Sequence, residues 1–140
     1  MAQTMDAALD DLADTFEVLG DWEERYRFLI DLGRELEPLP EADHTEANKV
    51  RGCASQVWIT TSREADGTLR FHADSDAHIV KGLIAVLLKL YSGRMPQEIT
   101  AFDAHGAMAR LGLPEALSSQ RANGLNAMIE RIRAEARATA

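Results

Sequence analysis

The chain has 140 residues, a length that suits one domain and needs no covalent staples, since a domain this size buries roughly two-thirds of its unfolded-chain surface. Its composition, 46% hydrophobic and 27% charged, is that of an ordinary globular protein. Fifteen Lys and Arg against 23 Asp and Glu give a formal charge of −8, and such a surface repels phosphate backbones, which argues against a nucleic-acid partner.

A single cysteine, Cys53, excludes an internal disulfide and fits a reducing compartment. The stretch from Met1 to Asp11 is acidic and lacks the apolar core of a signal peptide. The most apolar run, Ile79 to Tyr91, is interrupted by Lys81 and Lys89 and falls short of the roughly 20 residues that span a bilayer. Cytoplasm is the expected location, and no membrane partner is expected.

Two helices open the chain. Met5, Leu9, Leu12 and Phe16 recur at three- and four-residue spacing, and Gly20 ends the first. Asp21 followed by Glu24 reads as a capping box for the second, whose inner stripe is Trp22, Tyr26, Leu29, Ile30 and Gly33. Pro38 and Pro40 then impose a loop.

The period changes in the middle. Val57, Ile59 and Thr61 alternate with Trp58, Thr60 and Ser62; after "EADG" (64 to 67), Leu69, Phe71 and Ala73 alternate again. This spacing predicts a β-hairpin. A hairpin alone is marginal, so a third strand is expected near Ala47 to Arg51, with Cys53 in the link between strands.

"DSD" (74 to 76) starts a helix with Ser75 or Asp76 as cap. That helix is apolar nearly all round, as core helices are. Short helices near Pro96 to Phe102 and Ala104 to Arg110 follow, closed by Gly112. Ser118 or Ser119 caps the last helix, with a stripe of Leu125, Met128, Ile129 and Ile132. Helices, then strands, then helices indicate an α+β sandwich with a small antiparallel sheet of about three strands.

The candidate for chemistry is Cys53, in "NKVRGCASQVW" (48 to 58). Free cysteines are among the most buried residues, and most are inert. Here Gly52 indicates an unusual backbone, and Lys49 and Arg51 stand close enough in sequence to favour a thiolate. Composition and spacing alone leave reactive and inert thiol both open. A metal site is the weaker reading: His44, His72, His78 and His105 form no ligand pattern with Cys53, and the carboxylates of "DSDAH" are explained by capping. A cysteine hydrolase needs a partner base, and no histidine is singled out by its context. Without a second cysteine, dithiol redox chemistry is excluded.

Arg121 lies in the first turn of the last helix, where it opposes the helix dipole; an ion pair with Glu115 or a functional contact would each explain it. "KLYSGRMP" (89 to 96) reads as a connector or a mobile loop.

Three blocks, "VRGCASQVW" (50 to 58), "DSDAHIVKGLIAVLL" (74 to 88) and "LSSQRANGLNAMIERIR" (117 to 133), together resemble the SufE family of sulfur-acceptor proteins. Their order and spacing extend the resemblance over nearly the whole chain, with departures at Ala54 and His78. The resemblance implies one SufE-like domain, residues 1 to 140, with an α+β fold shared with iron–sulfur scaffolds of the IscU type. It implies that Cys53 accepts sulfane sulfur from a cysteine desulfurase of the SufS or CsdA kind, stimulates it, and passes the sulfur toward a SufBCD-like scaffold. Arg51, Gly52, Ser55, Asp74, Asp76 and Arg121 would support the loop or touch the partner. No cofactor is implied, the pyridoxal phosphate belonging to the desulfurase, and the free protein would be a monomer or weak homodimer. A stand-alone cysteine hydrolase, a thiol sensor and an interaction module with an inert Cys53 are the competing readings.

Overall fold

The computed structural model describes residues 4–139, so the first three residues of the acidic N-terminal stretch lie outside it. Helix α1 spans Met5–Leu19 and buries Met5, Ala8, Leu9, Leu12 and Phe16; Thr4 caps it by accepting from the Ala7 N–H. Helix α2, Trp22–Arg34, is capped by Asp21, which accepts from Glu24 N–H at 2.9 Å. Only that half of the expected capping box forms. The Asp21 N–H donates to Leu19 O, and the Glu24 carboxylate turns to Arg27 instead.

Strands β1 (Val57–Arg63) and β2 (Leu69–Ser75) form the hairpin, antiparallel from Val57↔Ser75 to Arg63↔Leu69. Val57, Ile59, Leu69, Phe71 and Ala73 are buried. The expected third strand is reduced to one bridge, Lys49↔Trp58, so the sheet has two strands. The reason is that the chain turns just ahead of the bridge, Asn48 N–H donating to Thr45 O and Lys49 N–H to Glu46 O, while on the side away from β1 the carbonyls of Ala47 and Lys49 accept from Arg131.

Helix α3, His78–Tyr91, is buried almost all round, as its composition predicts. Its start differs from expectation. Strand β2 runs on through Ser75, and the cap position falls on Ala77, which makes no side-chain cap bond. Ser75 Oγ accepts from Ala77 N–H, and Asp76 is drawn away to Gln56.

α3 and α2 form the closest helix pair. A Cβ built on Gly82 would overlap the Leu29 carbonyl oxygen, and one on Gly33 would stand 2.8 Å from Gly82 N. Backbones this close leave no space for any larger residue, which explains both glycines. α3 also packs on β2. Helices α4 (Pro96–Ala101), α5 (Ala104–Arg110) and a short α6 (Leu113–Ala116), not foreseen in the sequence, lead into α7, Ser119–Thr139. Ser118 is the serine that caps it, accepting from Arg121 N–H. Leu125, Met128, Ile129 and Ile132 are buried, and α7 lies against α3 and α4. No helix among the described residues is long and apolar enough to cross a membrane.

Candidate functional site

The link between the 47–50 segment and β1 crosses α7 and carries Cys53. Gly52 has φ +93°, a region that side chains rarely adopt, and a Cβ there would also press on Ala127 at 3.3 Å. This turn directs the Cys53 side chain inward, where it is half-buried. Val80 and Leu83 of α3 and Gly124, Leu125 and Met128 of α7 form an apolar niche around the sulfur, with Ala54, Ser55, Gln120 and Arg121 completing its lining. The residual space is about 20 Å³. The thiol donates to Gly124 O at 3.6 Å. A Cβ on Gly124 would stand 3.5 Å from Sγ, so the sulfur rests on bare helix backbone.

Burial pushes the Cys53 thiol above its ordinary value, and the bond donated to Gly124 O likewise needs the proton on sulfur. In the sequence, Lys49 and Arg51 stand as thiolate-promoting neighbours. In the fold, Arg51 is 84% exposed and faces Glu46 at 3.9 Å. In this conformation the sulfur is a sheltered thiol whose burial disfavours the thiolate.

Asp76 meets the loop from the other end. Its carboxylate accepts from Gln56 N–H at 3.0 Å, while the Asp76 N–H donates to Gln56 O at 3.3 Å, which fixes the exit from the cysteine loop. Arg121 reaches the rim of the niche; it is exposed, and of its two explanations the pair with Glu115 is not among the ion pairs of the described residues. Asp74 is not part of the niche. It accepts from His44 Nε2 at 2.8 Å and faces Lys81 Nζ at 3.5 Å. Burial alone would push the Asp74 carboxyl up, but the His44 and Ser75 hydrogen bonds and Lys81 outweigh it, and it ends below its ordinary value.

In the sequence His44 is only one of four histidines without a role. In the fold its Nε2 faces a carboxylate and its Nδ1 faces the Pro40 carbonyl at 3.1 Å, while its ring meets Trp58 edge-on. Both nitrogens face acceptors, so both bonds form only when the ring carries two N–H groups, as imidazolium. The Asp74 bond raises the His44 pKa, with burial opposing and the Pro40 carbonyl assisting. No histidine among the described residues hydrogen-bonds Cys53, whose partner is Gly124. His72 pairs with Glu37, and His78 and His105 are exposed. Among the described residues no group of three or more His, Cys, Asp or Glu could hold a metal ion.

Comparison with known proteins fixes the class to which this fold and site belong. The family model described as SufE, Fe-S metabolism associated domain, matches residues 10–136. The chain belongs to the SufE family, and its domain is one associated with iron–sulfur metabolism. It is 50% identical over 132 residues to a SufE-like protein of Rhizobium meliloti, covering 92% of this chain and 94% of that one. A SufE-like protein of Rhizobium etli is also 50% identical, over 137 residues, covering 96% and 93%. The solution structure of a hypothetical protein from Thermus thermophilus has the same fold, with a TM-score of 0.78 at 23% identity over 94% of this chain and 95% of that one.

Proposed function

We propose that the protein carries sulfur for iron–sulfur cluster assembly, with Cys53 as the acceptor atom. The observation that supports it best is a lone thiol on a short loop, turned by Gly52, that covers a niche fitted to one sulfur. On docking, the loop swings outward and Cys53 ionises. The thiolate attacks the outer sulfur of a persulfide on a cysteine desulfurase. One S–S bond forms on Cys53, the donor's S–S bond breaks, and the donor cysteine leaves as its thiolate. A single cysteine suits this relay, since a second thiol nearby would attack the new persulfide and release sulfide. Return to the niche shelters the sulfur from oxidation until a scaffold of the SufBCD kind takes it.

The other residues take supporting roles in this reading. Gly52 provides the turn, Ser55 and Arg121 frame the mouth, Arg51 meets the partner, and Asp76 fixes the loop's exit. The pyridoxal phosphate belongs to the desulfurase, and transfer takes place in the cytoplasm. A stand-alone hydrolase would need a base on the thiol, whose partner here is the Gly124 carbonyl.

The test is desulfurase turnover on cysteine with and without this protein. Turnover rises with the wild-type chain and stays at the basal rate with Cys53→Ser. Equal stimulation by both proteins would overturn the assignment.

A further inference from the structure

We propose that Arg131 is a positioning residue for Cys53: from α7 it holds the stem that enters the cysteine loop, and so sets how often the thiol leaves its niche. The biological purpose of this tie rests on the sulfur-carrier reading, whereas its geometry and its test do not.

The loop from Arg51 to Ser55 has two stems. Asp76 holds the exit stem at Gln56. The entry stem, residues 47–50, is attached to β1 by only two backbone bonds, Val50 N–H to Val57 O at 2.8 Å and Ile59 N–H to Asn48 O at 2.9 Å. On its opposite side the Arg131 guanidinium spans two carbonyls, Nη1 donating to Lys49 O at 3.2 Å and Nη2 donating to Ala47 O at 3.0 Å. Glu135, one turn further along α7, accepts from Arg131 Nε at 3.1 Å and fixes the plane of the fork. Charged donors make hydrogen bonds stronger than neutral ones, and only arginine offers such a rigid planar fork.

The placement on α7 makes the tie relevant to the thiol. Arg121, Gly124, Met128, Arg131 and Glu135 follow at spacings of three and four, which puts them along one side of the helix. One helix face therefore supplies the rim of the niche, its floor, and the tie on the stem just before Cys53. Lifting Cys53 off Gly124 while Arg131 grips Ala47 and Lys49 confines the adjustment on the entry side to residues 50–52. Releasing Arg131 lets the stem peel away with the loop.

The probe is iodoacetamide alkylation of Cys53 in the free protein, read together with backbone hydrogen exchange. Arg131→Met retains the aliphatic stem and removes both carbonyl bonds. Its alkylation is expected to be roughly tenfold faster, the scale of losing two bonds from a partly solvated charged donor. The midpoint of its alkylation–pH profile is expected to fall toward that of an unburied thiol, and exchange to rise at 47–55 only. Arg131→Lys, which can keep one carbonyl bond, should lie between the two. Should the Met variant not fold, Glu135→Gln provides the same reading with a rise of roughly twofold.

Alkylation unchanged from wild type overturns the inference, as does faster exchange spread evenly over β1, β2 and α3. Faster alkylation without sulfur uptake from a desulfurase would leave the positioning role intact and remove the carrier reading. Sulfur uptake with unchanged alkylation would do the reverse.

Discussion

Strand β2 and the 47–50 segment lie on opposite edges of β1, and they are attached to it very differently. β2 pairs along all seven residues of β1, with Leu69, Phe71 and Ala73 sealed against the helical core. The 47–50 segment has one bridge, two backbone bonds to β1 and one buried side chain, Val50, and its outer side is held by Arg131 of α7. One edge is a seven-residue ladder backed by buried apolar surface; the other has a short attachment, with few backbone bonds, one buried side chain and the Arg131 tie. Cys53 follows the second edge, the placement that suits the movement required by the proposed sulfur carriage.

The firm side is challenged hardest by Gly82→Ala. Its Cβ would overlap the Leu29 carbonyl, and α2 and α3 would have to separate. A loss of roughly 3 kcal/mol is expected from such overpacking. Thermal unfolding should show it as a fall in Tm of about 10 °C. A variant as stable as wild type would mean that the helix pair is not the firm element described here.

The movable side is tested by Asp76→Ala, which leaves the Gln56 N–H without its carboxylate. The expected cost is about 1 kcal/mol. Its readout is faster hydrogen exchange in residues 52–56, with β2 and α3 unchanged. Unchanged exchange near Cys53 would show that this tie does not restrain the loop.

A change of pH has a weaker effect. His44 has its pKa raised in the fold, so the stability it adds is fully present below the ordinary histidine value of 6.5 and is lost as pH rises through its raised value. Asp74, held below its ordinary 3.8, adds stability above that value and loses it as pH falls through its lowered one. Protection factors in residues 40–50, which remove the intrinsic base catalysis of exchange, should therefore fall on the alkaline side of 6.5 in the wild type and show no such fall in His44→Gln. The same fall in His44→Gln would assign the dependence to another group.

Much of this division can be read in the sequence, because local patterns carry it. The apolar spacing of α1, α3 and α7 and the alternation of β1 and β2 are each short-range signals, and all five elements form where those patterns place them. Cys53 after Gly52 points to the loop for the same reason. What is not legible depends on contacts between distant residues. Arg131 lies 82 positions from Lys49, and His44 lies 30 from Asp74, so no local pattern marks either pair. The third strand stops at one bridge because the chain is turned at 45–49, with Asn48 N–H on Thr45 O and Lys49 N–H on Glu46 O. The cap expected at Ser75 or Asp76 is lost because β2 runs on and Gln56 recruits Asp76. Gly124 leaves one faint signal, a glycine inside a helical stripe, which marks close packing but not what packs there.

If Cys53 leaves its niche and returns with one more sulfur atom, the added mass is visible on the chain itself. Intact-mass and peptide spectra, taken without reductant after incubation with a cysteine desulfurase, pyridoxal phosphate and cysteine, should show a gain of about 32 Da. The gain should be confined to the peptide that contains Cys53 and be removed by dithiothreitol. An unmodified Cys53 alongside a desulfurase that has turned over, or a gain found elsewhere in the chain, would refute sulfur carriage by this thiol.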